Sequence, residues 1–179
     1  MNNKPMIVTE RLILRPPAAE DFEGFAEFGA DEDTMLHLGG VQSRAEAWRG
    51  MCAIAGSWQI EGFGFFSLIE RETGEWIGRV GPWKPEGWPG TEVGWGVLPR
   101  FAGKGFAKEA AIASIDYAFT TLGWDDVIHT INPENHASIK LAEALGSKNR
   151  GPTKLPAPYA DIKVDDYGQS REQWLARKQ

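Results

Sequence analysis

The sequence predicts an α+β sandwich: one mixed, mostly antiparallel sheet of about six to seven strands with helices on both faces. Three observations predict it. Short runs rich in β-formers are closed by proline, glycine or turn residues. Longer runs carry apolar residues at helical spacing and start on capping residues. The two kinds of run alternate as β-α-α-β-β-β-α-β-α-β, so a meander of neighbouring strands comes first and crossovers follow. With 179 residues the chain has room for one sizeable core. Residues 1–179 are therefore read as a single domain, with its core at about 9–166.

"MIVTERLILRPP" reads as a first strand, ended by Pro16 and Pro17. The next stretch, "AAEDFEGFAEFGAD", places Phe22, Phe25 and Phe28 on one helical face. Ser43, with Glu46 three residues on, forms a capping-box signature that opens a second helix. "GFGFFSLIERETGEWIGRVGPW" holds two strands and a turn at Glu72, Thr73 and Gly74. "TEVGWGVL" is a strand stopped by Pro99. From Lys104 to about Leu122 the spacing is helical, with Ala107, Ala110, Ala111, Ile115, Ala118, Phe119 and Leu122 facing inward. "DDVIHTIN" is a short strand, "NHASIKLAEALG" a helix stopped at Gly146, and "YADIKVDDYG" a final strand.

Composition narrows the function classes. Hydrophobic residues at 42% and charged residues at 25% describe an ordinary soluble domain. The net charge of −6 disfavours nucleic acid and anionic membranes as partners and favours a cationic small molecule or basic peptide. The lone cysteine, Cys52, excludes an internal disulfide framework and a cysteine-based zinc site, and reads as a small buried hydrophobe. The N-terminal "MNNKPMIVTE" has no apolar core of a secretory signal, and no run approaches the ~18 apolar residues of a membrane span. A cytoplasmic protein is the expectation. His129 and His136 are seven apart with no third ligand nearby, and His37 has no visible partner, so no metal site is expected.

The stretch "LPRFAGKGFAKEA" carries the chemistry. It lacks the spacing of a P-loop, because Lys104 is followed by Gly105. It also lacks a dinucleotide fingerprint, because Lys108 stands where a third glycine belongs. Two readings remain. One is a plain strand-to-helix loop. The other is an anion site, where bare amides and the positive end of the helix dipole meet glycines that admit a phosphate.

"TEVGWGVLPRFAGKGFAKEA", followed by "HTINPENHASIKLAEALG", resembles the GNAT superfamily of acyl-CoA-dependent N-acyltransferases. The opening "TERLILRPP" is similar to the RimJ/RimL-type branch. The resemblance runs from about Thr9 to Asp166. It implies acetyl-CoA as acyl donor, with its pyrophosphate on Gly103, Lys104, Gly105, Phe106, Ala107 and Lys108. Ala102 departs from the family's usual Gln or Arg, and Ser147 from its usual Phe. The resemblance further implies that Trp95, Gly96 and Val97 bond the pantetheine arm through their backbone. Gly94 and Gly96 are then expected to allow a bulge that splays this strand from the next. Asn135 and Ser138 match the family's N-x-x-S element; the first would touch the cofactor and the second lie near its sulfur. Asn135 reads equally as a helix N-cap and Ser138 as an ordinary first-turn serine.

A neutral amine attacking a thioester needs a base. Deprotonation at pH 7 costs about 4.6 kcal/mol for a lysine-like amine and only about 1.4 for an α-amine. Glu92 resembles the family's base position and is the candidate catalytic base, directly or through water. Ser138 is the candidate acid for the departing sulfur. Strand amides would polarise the carbonyl. Trp83, Trp88 and the "PWKPEGWPG" loop are candidates for an aromatic acceptor wall. The expected acceptor is an amine-bearing small molecule or a peptide N-terminus, and a homodimer is left open. A non-catalytic acyl-CoA-binding module is the alternative.

Overall fold

The computed structural model describes residues 5–177. Eight strands form one sheet: β1 (Ile7–Val8), β2 (Leu12–Arg15), β3 (Phe66–Glu70), β4 (Trp76–Trp83), β5 (Glu92–Val97), β6 (Asp126–Ile131), β7 (Lys148–Thr153) and β8 (Val164–Ser170). Their spatial order is β1-β2-β3-β4-β5-β6-β8-β7. Every neighbouring pair is antiparallel except β5–β6, which is parallel. The helices are α1 (Phe22–Ala30), α2 (Glu32–Met35), α3 (Arg44–Ile60), α4 (Phe106–Thr120), α5 (His136–Ala144) and α6 (Arg171–Ala176). The mixed, mostly antiparallel α+β architecture is the expected one, with a slightly higher strand count.

Two features raise that count. The first expected strand is a hairpin: β1 pairs with β2 in the register Ile7 to Leu14. Its turn is tied to Glu109 on α4. The Thr9 hydroxyl donates to Glu109 Oε1 at 2.6 Å, and the Arg11 amide donates to the same oxygen at 2.8 Å. The second feature is β7, a strand whose "KNRGPT" sequence is too polar to read as one. It is an edge strand, held by backbone pairing to β8 rather than by a buried face. The final strand begins at Val164, later than expected, because Tyr159 and Ile162 sit in turns. The short α2 and α6 were not foreseen.

Local signals otherwise act where they stand. Ser43 and Glu46 form both halves of the capping box. Phe25 and Phe28 are buried on α1, and Ala110, Ala111, Ile115, Ala118 and Phe119 are buried on α4. Burying that last stripe against β4 and β5 fixes the start of α4 beside the end of β5. Cys52, read as buried, is exposed on α3. No described helix is long and apolar enough to cross a membrane.

The sheet opens at β5–β6. Only Glu92 and Ile128 are in register there. Beyond them, side chains replace the ladder. The His129 ring donates from Nδ1 to the Val93 carbonyl at 2.6 Å, and the Thr130 amide donates to Glu92 Oε1 at 3.1 Å. The two strands part around these substitutes. The expected bulge at Gly94 and Gly96 is absent, since β4 and β5 pair without interruption from Glu92 to Val97. The glycines serve another purpose. A side-chain carbon at Gly94 would lie 2.9 Å from the Phe65 ring, and one at Gly96 would lie 2.6 Å from the Phe28 ring. Both rings rest directly on the strand.

Candidate active site

Two concavities meet where the strands part. The first is a groove along the end of β5 and the start of α4. It is lined by Trp95, Gly96, Val97, Gly103, Gly105, Phe106, Ala107, Lys108, Asn135 and Ser138. The second is a cavity of about 190 Å³ holding Glu92, Trp83, Trp88, Phe65, Arg79 and Thr130. His37, Leu38, Trp95, Asn135 and Ser138 line both. Of the residues expected to hold cofactor, Lys104 alone does not line the groove. Its Nζ lies 5.2 Å from the centre of the Phe101 ring.

The start of α4 is built for an anion. Its N-cap is Gly105, in the left-handed region at φ 82°, and no side chain caps the helix. Gly103 is also left-handed, at φ 73°, with open space where a side chain would stand. The first-turn amides are thus free of a capping oxygen and reachable by a phosphate. Arg11 secures the turn from behind: it donates from Nη1 to the Lys104 carbonyl at 2.9 Å and from Nε to Glu109 Oε2 at 2.7 Å. Arg100, just before the turn, pairs with Glu27 and Glu75. These residues fit the pyrophosphate of coenzyme A.

Asn135 caps α5, its Oδ1 accepting from the Ser138 amide at 3.1 Å. The cap and the groove position coexist. The Ser138 hydroxyl accepts from the Trp95 indole at 3.3 Å, which holds the serine at the junction of groove and cavity. Ser147, the family departure, has a structural task. It is buried, donates to Nε2 of His129 at 3.0 Å and accepts from Gln169 at 2.8 Å. Burial lowers the His129 pKa to about 4, so the ring stays neutral and structural. No cluster of three or more metal-ligating side chains exists among the described residues.

Glu92 is 6% exposed. Its carboxylate accepts from the Thr130 amide and hydroxyl at 3.1 and 3.0 Å, and from the Trp88 indole. Desolvation pushes its pKa up to about 7, against the downward pull of the Thr130 and Trp88 bonds; the negative charge of Asp166 adds to the rise. A carboxylate poised at neutrality can take a proton from an amine and release it again. Nothing in the sequence singles out Thr130 or Arg79 as site residues. Thr130 had only strand alternation to mark it. Arg79 stood in "WIGRVGPW" as one charge in a strand, without a hint of which face it takes.

A family model described as an acetyltransferase (GNAT) domain matches residues 11–148. The chain belongs to the GNAT acetyltransferase family. This GNAT acetyltransferase is 32% identical to an uncharacterized N-acetyltransferase of Bacillus licheniformis, over 81% of its own length and 83% of that protein. It superposes on an acetyltransferase of Agrobacterium tumefaciens with a TM-score of 0.81 at 32% identity, covering 93% and 95% of the two chains. A RimL ribosomal-protein α-N-acetyltransferase shares the fold, with a TM-score of 0.74 at 15% identity over 93% and 94% of the chains. The GNAT family uses acetyl-CoA as acyl donor.

Proposed function

We propose that this enzyme transfers an acetyl group from acetyl-CoA to a primary amine, with Glu92 as general base. The observation that carries the reading is Glu92: a buried carboxylate titrating near neutrality, in a cavity that opens onto the groove at Ser138. Acetyl-CoA, when bound, supplies an activated thioester. The chain's own residues do the rest. The amides at the start of α4 hold the pyrophosphate, and the backbone of Trp95 to Val97 orients the arm. As the amine nitrogen bonds the acyl carbon and the C–S bond breaks, Glu92 takes the proton that the amine must lose, and the Ser138 hydroxyl gives one to the departing sulfur and regains one from solvent. Trp83 and Trp88 wall the acceptor side and keep water from the reacting atoms. The similarity in fold to a ribosomal-protein N-terminal acetyltransferase supports a peptide α-amine as one acceptor class; the cavity's size supports a small amine.

The test is thiol release from acetyl-CoA with a panel of α-amino peptides, amino acids, polyamines and aminoglycosides. At least one amine should accelerate release and appear as its N-acetyl product. Glu92→Gln should lower turnover ~10²–10⁴-fold while leaving acetyl-CoA binding intact. Acetyl-CoA binding without product on any amine would instead establish a binding module.

A further inference from the structure

The cavity that holds Glu92 also holds a cation, Arg79, that forms no ion pair among the described residues. Three of the described arginines are half-buried: Arg11, Arg15 and Arg79. Arg11 pairs with Glu109 and Arg15 with Asp21, each at 2.7 Å. Among the described residues no carboxylate, carbonyl or hydroxyl bonds the guanidinium of Arg79. It lies instead 4.9 Å from the centre of the Phe65 ring and 5.4 Å from that of Phe28. These are the two rings seated on Gly94 and Gly96, on the face of β5 that Glu92 shares.

A guanidinium stays charged inside a protein, and taking it out of water without a partner is costly. Two ring faces repay part of that cost. They leave all five N–H donors unused, in a fork that matches a carboxylate or a phosphate. The fork lines the cavity and does not reach the pyrophosphate groove. Burial pulls the Arg79 pKa down, and the nearby Tyr159 phenol, which lines the same cavity, opposes that fall only in part. The position across the cavity is also informative. Arg79 sits opposite Gly96, and Glu92 lies four residues back along the same strand, a backbone distance of roughly 13 Å. Both residues line the same cavity, and the Phe65 ring seated on Gly94 lies between their positions along the strand. A cavity of about 190 Å³ is smaller than the ~300–1,000 Å³ of drug-sized sites, so its occupant is small.

We propose that the acceptor is a small molecule carrying a carboxylate or phosphate besides its amine, and that Arg79 binds this anionic group while Glu92 faces the amine. The proposal rests on the reading of Glu92 as the base for an amine acceptor, and it names that acceptor's class. It also refines the expectation from net charge. The acidic surface draws in the ammonium end, and the half-buried guanidinium selects those amines that bear an anion as well.

The test uses matched acceptor pairs with acetyl-CoA: tyrosine against tyramine, phosphoethanolamine against ethanolamine, and the dipeptide Asp-Ala against Asn-Ala amide. The first two pairs separate carboxylate from phosphate, and the third asks whether an acidic peptide N-terminus serves instead. Wild type should prefer the anionic member of the first or second pair at least tenfold in kcat/KM. Arg79→Gln should lower that member's kcat/KM at least tenfold more than the neutral member's, chiefly through KM, and Arg79→Lys should restore part of the preference. Equilibrium binding of the same pairs, followed by tryptophan fluorescence, gives a readout that needs no turnover, and thermal melts confirm that both variants fold. Amines acetylated without regard to the anion would overturn the role of Arg79 and leave acetyl transfer standing. A preference confined to the dipeptide pair would overturn the small-molecule acceptor. If no amine is acetylated, acetyl transfer to amines falls, and equal binding of both members would overturn the Arg79 assignment too. An Arg79→Gln loss seen only with succinyl-CoA as donor would place the anion on the acyl chain and overturn the acceptor assignment.

Discussion

Thr130 gives Glu92 two hydrogen bonds at once, from its backbone amide at 3.1 Å and from its hydroxyl at 3.0 Å. The amide bond takes the place of a sheet ladder bond that the parting of β5 and β6 would otherwise leave unmade. One residue thereby closes the sheet at its opening and steadies the candidate base. The hydroxyl bond favours the ionised carboxylate and opposes the desolvation that drives the Glu92 pKa up to about 7.

The pH profile follows from this balance. If Glu92 acts unprotonated, kcat/KM falls as pH drops through about 7. Thr130→Val keeps the shape and the backbone amide but removes the hydroxyl donor. The acidic limb of kcat/KM should then move to higher pH, by about one unit. A profile unmoved in Thr130→Val would show that the limb belongs to the substrate amine.

Stability should carry the same signature with the opposite sign. Glu92 binds its proton more tightly folded than unfolded, since its folded pKa is raised from 4.5 to about 7. Its contribution is fully present below about pH 4.5 and is lost as pH rises through about 7. Glu92→Gln cannot ionise, so its melting temperature relative to wild type should rise between pH 5 and pH 8. Thermal melts at the two pH values measure it; a constant difference would contradict a desolvated Glu92 that titrates in this range.

At the start of α4, Gly105→Val tests the anion site. A β-branched residue at φ 82° is strained, and its Cβ would lie 3.3 Å from Arg11 Nη2. The expected result is a loss of about 1–3 kcal/mol in stability and at least a tenfold loss in acetyl-CoA affinity by calorimetry. Unchanged affinity in a folded Gly105→Val protein would remove the pyrophosphate from this turn.

Arg11→Ala approaches the same turn from behind. It releases the Lys104 carbonyl and the Glu109 carboxylate from outside the groove. Acetyl-CoA affinity should weaken, while acceptor KM at saturating donor stays within about twofold. A larger change in acceptor KM than in donor affinity would contradict a role confined to the turn.

Much of this protein was legible in its residues taken alone. Caps, stop glycines and apolar spacing act within a few positions, so the capping box at Ser43, the α4 stripe, the Gly103–Gly105 turn and the Asn135 cap could be read directly. The resemblance of these motifs to the GNAT family also pointed to Glu92 and Ser138, because the motifs lie on consecutive elements. What the tertiary structure decided are relations between distant positions. Thr130 is 38 residues from Glu92, Glu109 is 98 from Arg11, and Arg79 stands opposite Gly96 only because β4 and β5 pair in that register. Burial, and with it the desolvation of Glu92 and Arg79, is a property of everything packed around a side chain. Periodicity along one strand does not contain it. Neither does it tell that a polar segment such as Lys148–Thr153 will pair at the sheet edge, because backbone hydrogen bonds, which every residue but proline can donate, hold it there.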